Sequence, residues 1–272
     1  MQEISFEKYT LSKRISTMLR VDLRRMFSSL TVYIFIASCL VAPILILVMT
    51  TMMDGTVSVN PQTGVETVIE GFDNVWQIIG SVSGASAAPD MAGGMSLTAM
   101  CNINMLYMAL AAFVCLFVSD DFRSGYAKNL FAVRADKTDY ILSKTLTTFI
   151  ASALMVLAFF LGSLLGGAIS GLPFLMEGFG TSELVFCVLS KMLSTLIVVP
   201  IYLTMAVVAK SRAWLSILLS LASGMLLFMM LPMLSPLNST IINPILCLGI
   251  GVLLSIGLGA ISRTVLNKTA LV

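Results

Sequence analysis

Histidine is absent from the 272 residues of this chain, and only 11% of its residues are charged. The first absence removes histidine-dependent intramembrane hydrolysis, haem ligation of the usual kind and histidine zinc sites. The second, beside 58% hydrophobic residues, excludes an ordinary soluble globule and marks an integral membrane protein. No GxxxxGK[ST] segment occurs, so the chain has no phosphate-cradling loop of its own. Acidic residues are missing from every long apolar run. Ion-coupled carriers commonly hold Asp or Glu at mid-membrane, so self-powered transport is disfavoured, although backbone carbonyls also bind sodium.

What is present is a set of six uncharged runs at 31–52, 99–118, 145–170, 192–209, 213–235 and 241–262. Each is long enough to cross a hydrocarbon core as a helix, and uninterrupted apolar runs do not fit alternating barrel strands. The expected fold is an all-α integral membrane protein with a single transmembrane domain over 1–272. Only lysine 191 of the sixteen basic residues falls away from 1–30, 119–144, the turn at Lys210 and Arg212, or the tail. By the positive-inside rule those segments, and both termini, are cytoplasmic, and 53–98 is a large extracellular loop. The net charge of +2 hides this asymmetry and implies no nucleic-acid partner. A cleavable signal is not expected, because about 30 mostly polar residues precede a span too long for a signal core.

Within 1–30, Ile15, Leu19, Leu23, Met26 and Leu30 share a helical face, with Lys13, Arg20 and Arg24 on another. This is the pattern of a basic amphipathic helix on the inner leaflet; a solvated lead-in that only sets topology is the alternative. In 53–98 a short hairpin is expected around Asn60 and Pro61. One or two helical turns follow in GFDNVWQIIG, with Asp73 as cap and Trp76 at the interface. Gly162, Gly166, Gly167 and Gly171 form small-xxx-small patterns that favour a close helix neighbour. Pro200, Pro232 and Pro244 are expected to bend or end their helices. The five cysteines lie in or beside the runs and read as small packing residues, with no disulfide framework. The methionines of the second and fifth runs either fill packing gaps or line an adaptable apolar pocket.

The chain is organised around DDFRSGYAKNLFAVRADKTDYILSK, from Asp120 to Lys144, the one long charged stretch between two apolar runs. Phe122, Tyr126, Leu130 and Phe131 form an apolar stripe, and Asp121, Arg123, Lys128 and Arg134 are charges available to a partner. Asn129 lies among them, and Gly125 permits a bend or a close backbone approach. The alternative is a stripe lying on the inner leaflet with its charges solvated. DFRSGYAKNLF, the basic Arg134, and DYILSK entering the third run resemble the membrane subunits of type-2 ABC exporters, and the likeness in layout covers nearly the whole chain. Within that family the chain is most similar to bacterial permeases for bacteriocins, lantibiotics and other antimicrobial peptides, including immunity systems.

The resemblance implies a permease in the bacterial plasma membrane, without catalytic residues, bound cofactor or metal. It implies that 119–144 is a coupling loop seated on a separate cytoplasmic ATPase that carries ATP and magnesium. It also implies a second six-span permease, identical or different, and export of an amphipathic or toxic peptide, a lipid or a hydrophobic drug. A stand-alone carrier or channel, and a non-transporting immunity or sensor protein, are the rival readings. Lys191 and Trp76 are candidate outer-leaflet or substrate contacts. Lys191 either snorkels or pairs with Glu183 or Glu177, or it faces the transport path and attracts an acidic group.

Overall fold

The computed structural model describes residues 11–59, 66–69, 71–83, 101–133, 137–228 and 230–268. In chain order these form α1 (Leu11–Ser28), α2 (Leu30–Met53), a hairpin of β1 (Val57–Val59) and β2 (Glu66–Val68), and a 3-10 helix (Val75–Ile78). Then come α3 (Asn104–Arg123), α4 (Tyr126–Val133), α5 (Lys137–Ser170), α6 (Thr181–Ala209), α7 (Ala213–Phe228), α8 (Leu231–Leu234) and α9 (Ile242–Lys268). Five of them, α2, α3, α5, α6 and α9, are long and apolar enough to cross a membrane. The chain is a multi-span helical membrane protein.

Helix α6 is central, packing against α9, α7, α3 and α5; α5 in turn holds α2 and α1. The partner of the small-xxx-small pattern is α2. A Cβ on Gly162 would strike the Leu40 carbonyl oxygen and approach Pro43 Cγ to 2.7 Å, and one on Gly166 would sit 2.9 Å from Ile44 Cα. These two glycines let the backbones of α2 and α5 touch.

The helices extend past the apolar runs wherever local caps and packing allow. At 34 residues, α5 is about 51 Å long and exceeds a hydrocarbon core of about 30 Å. Its first two turns therefore stand at the basic end, beyond the expected start at 145. α6 starts at Thr181, ahead of the expected 192, where the Glu183 carboxylate accepts the Gly180 amide at 2.9 Å. α3 begins later than expected, at Asn104, but runs to Arg123 and takes Asp120 and Asp121 into its last turn.

The fifth run is not one helix. α7 stops at Phe228 and α8 restarts at Leu231 with Pro232 in its first turn. Pro232 has no amide hydrogen to offer the carbonyl four residues back, which is that of Phe228, and its ring clashes there.

At the end opposite α1, the hairpin pairs Val57 with Val68, Ser58 with Thr67 and Val59 with Glu66, as the turn-rich sequence predicts; the turn at Asn60 and Pro61 lies outside the described residues. The 3-10 helix also forms where helical turns are expected, but its cap is Asn74, which accepts from the Trp76 amide at 3.0 Å. Asp73 instead pairs with Gln77, receiving its side-chain amide at 3.4 Å. Val75, Ile78 and Ile79 are wholly buried. The segment is tied down on both sides, Ile103 donating to the Ile78 carbonyl and Leu237 to that of Ser81, each at 2.9 Å. Residues 72–79 are thus a packed plug over the helix ends, while the hairpin beside them is exposed.

Candidate functional site

Behind the connector between α3 and α5 lies a cluster of charges that belongs to three helices. α1 supplies Asp22 and Arg25, three residues apart. Asp22 is its only acid and is wholly buried between Met18 and Met26, one turn away on either side. α3 supplies Asp121 from its last turn, and α5 supplies Tyr140, Ser143 and Lys144 from the two turns that protrude.

Lys144 Nζ lies 2.9 Å from Asp22 Oδ1 and 2.8 Å from Asp121 Oδ2, with all three side chains fully buried. Arg25 Nη1 donates to Asp121 Oδ1 at 2.9 Å, Tyr140 OH to Asp121 Oδ2 at 2.9 Å, and Ser143 Oγ to Asp22 Oδ2 at 2.6 Å. Two carboxylates thus face two cations, and the four charges sum to zero. That balance lets the group leave water, since an uncompensated ion there would cost several kcal/mol. Arg25 is half-buried, which by itself works against its charge; the carboxylate of Asp121, with Asp22 behind it, outweighs that burial and raises its pKa above the ordinary value. A second pair, Arg14 Nε to Asp139 Oδ2 at 3.3 Å, closes α1 onto α5.

α4 is fastened to this cluster by its aromatic residues. The Arg25 guanidinium sits 3.8 Å above the Tyr126 ring, and Phe131 meets Tyr140 edge-on with centroids 5.2 Å apart. Lys137 donates to the Leu266 carbonyl at 2.6 Å, binding the connector to the last turn of α9, where a helix end favours a cation. Gly125 makes the bend: its φ of 75° turns the chain from α3 into α4, and a Cβ there would meet nothing within 4 Å, so it serves the turn, not a close approach.

The connector residues singled out from sequence therefore divide. Arg123, Lys128 and Asn129 are exposed. Phe122, Tyr126, Leu130 and Phe131 are half-buried against the chain's own core, so the apolar stripe faces inward for much of its width. Asp121 is not a charge held out for a partner; its two oxygens are taken by Lys144, Arg25 and Tyr140. Arg134 lies outside the described residues.

At the other end, Trp76 is 5% exposed and stacks on Phe160, with Phe174 edge-on at 5.8 Å. It is a core residue of the plug and offers no surface to lipid or cargo. Lys191 is 1% exposed and bonds to Ser235 Oγ at 3.1 Å. Buried as it is, it does not snorkel, and among the described residues it pairs with no acid, for Glu183 caps α6 and Glu177 is exposed. Below it a seam of hydroxyls follows α3 towards the basic end: Tyr107 to Ser194 at 2.6 Å, Cys115 to Ser220 at 3.0 Å and Ser119 to Ser216 at 3.3 Å. Met108, Met225, Met230 and Met233 are exposed on the outer surface, and Met105, also exposed, borders an apolar pocket with Ile34 and Phe35.

The ionic cluster is what sequence reasoning missed. Its signal was present: a single acid on a basic helix with a methionine one turn before it and one turn after it, and an aromatic hydroxyl one turn before a lysine on α5. No family model, curated protein or solved structure matches this chain.

Proposed function

We propose that this chain is the permease subunit of an ATP-driven exporter, moved by a separate ATPase that grips the 119–144 connector and moving an amphipathic peptide, or a lipid or hydrophobic drug, out of the cell. The observation that carries the reading is the construction of α4. It is a short helix held across the basic end, with Lys128 and Asn129 free on the outside and Tyr126 and Phe131 anchored inside. A force applied to its outer face reaches α1, α3 and α5 together through Asp121, Lys144 and Asp22. That is the mechanical requirement of a subunit that lacks a nucleotide loop of its own. In this reading the basic end is cytoplasmic, α7 with α8 completes a six-span layout, and a second permease builds the other half of the pathway.

The test is purification of the tagged chain from its native membrane. A nucleotide-hydrolysing chain is expected to co-purify, and Lys128→Glu with Arg134→Glu is expected to reduce its recovery about ten-fold without loss of membrane insertion, the effect of reversing two charges at an interface. Absence of any ATPase from the wild-type preparation, or recovery unchanged by both reversals, overturns the proposal.

A further inference from the structure

Two pockets, each open on one side, lie in the cleft between helices α2 and α3. The one at the basic end has a volume of about 410 Å³ and is bounded by Arg25, Arg123, Asp120 and Ser29, with Phe113 and Phe117 also in its wall. The other, about 290 Å³, lies further along the same two helices and is lined by Ile34, Phe35, Met105, Leu106, Ala109 and their neighbours. Phe35 and Phe113, edge-on at 5.6 Å, form the step between them.

The chemistry of the first chamber is that of a headgroup site. Arg123 and Asp120 lie one turn apart on α3 and face the same cavity, yet among the described residues neither is in an ion pair, with the other or with anything else. Ser29 precedes α2 without making a side-chain capping bond, so its hydroxyl is uncommitted. Arg25 reaches the wall with one side of its guanidinium bound to Asp121. An unpaired cation and an unpaired anion beside an apolar cleft match a ligand that carries both charges on one end and hydrocarbon on the other. A purely anionic head would meet Asp120, and a purely cationic one would meet two arginines.

The cleft has the length for a tail. From Thr31 to Ile46, the α2 residues at the two extremes, is about 22 Å at 1.5 Å per residue, and one leaflet of a 30 Å core is about 15 Å deep. Ile34 and Met105, on the rim of the second chamber, are 55% and 46% exposed, so it opens sideways to the bilayer. A phosphate fits at Arg123, an amine at Asp120, and an acyl chain past the Phe35–Phe113 step.

We infer that the α2–α3 cleft is a binding site for one phospholipid whose headgroup carries a phosphate and a primary amine, with Arg123 and Asp120 reading the two charges. This is independent of the exporter reading: the site is complete within one chain and needs no ATPase.

The experiment is native mass spectrometry of the purified full chain in detergent, offered equal amounts of phosphatidylethanolamine and phosphatidylglycerol with the same acyl chains. The wild type is expected to retain one ethanolamine lipid about ten-fold more than the glycerol lipid, the scale of one charge-assisted hydrogen bond. Arg123→Ala lowers retention of both lipids about ten-fold while Arg123→Lys keeps it, and Asp120→Asn abolishes the preference between heads. Ala109→Phe, which fills the tail chamber without touching the head, lowers retention of both. Equal retention of the two lipids by the wild type, retention indifferent to Arg123→Ala, or retention indifferent to Ala109→Phe overturns the inference. So does a wild type that emerges free of lipid with a second copy of the chain bound in its place.

Discussion

Removing the ammonium of Lys144 while keeping its length, as in Lys144→Met, leaves Asp22 and Asp121 buried with Arg25 as the cluster's remaining cation. The cluster then carries one uncompensated negative charge. The expected loss of stability is ~3–5 kcal/mol, the usual result of removing one partner from a buried ion pair. Asp22→Asn added to Lys144→Met restores the balance, since Asp121 and Arg25 remain as a neutral pair, and it is expected to recover much of that loss. Thermal unfolding of the two variants in detergent checks this; a double variant no more stable than Lys144→Met contradicts it. These residues were only partly legible beforehand. Lys144 and Asp121 stand out as charges beside apolar runs, but their direction is set by where α1 lies, and nothing local to either residue encodes that. Lys191 makes the same point: a lone lysine in an apolar helix was plain to see, and its inward aim towards Ser235 was not.

At the scale of elements, Gly162 and Gly257 separate contact from composition. Both are helical glycines in apolar runs. A side chain at Gly162 would strike α2, whereas one at Gly257 would meet nothing within 4 Å. Gly162→Val is therefore expected to force α2 from α5 and destabilise by ~1–3 kcal/mol, as overpacking does. Gly257→Ala, which meets no neighbour and removes the entropic cost of a helical glycine, is expected to cause no loss and to stabilise by up to ~1 kcal/mol. Denaturation midpoints of the two variants decide; equal losses would mean that α2 does not rest on Gly162. The small-xxx-small spacing announced a close neighbour for α5, but spacing describes one helix surface and cannot say which other helix comes to it. Helix ends behaved likewise. The apolar runs located the spans, but the termini moved to Gly180, Lys137 and Arg123, where caps and packing, not hydropathy, hold the last turns.

For the whole molecule, the distribution of basic residues predicts that α4 faces the cytoplasm and the β1–β2 hairpin faces outward. Lys128 and Thr56 are exposed positions at these two ends. With the native cysteines replaced, Lys128→Cys is expected to react with a membrane-impermeant maleimide only after permeabilisation, and Thr56→Cys in intact cells. The reverse pattern would invert the topology and with it the coupling reading.

Hydropathy and charge by themselves determined that this chain lives in a bilayer, how many apolar runs it has and which segments carry its cations. Those properties follow from the transfer energy of each segment taken alone, which is additive along the chain. Tertiary structure alone decided that Asp22, Arg25, Asp121 and Lys144 share one buried site, that α2 is the helix beside Gly162, that the fifth apolar run is broken, and that α2 and α3 leave a cleft between them. Each of these depends on the meeting of residues distant in sequence, where the energy of a pair exists only once both partners have been brought out of water to the same place.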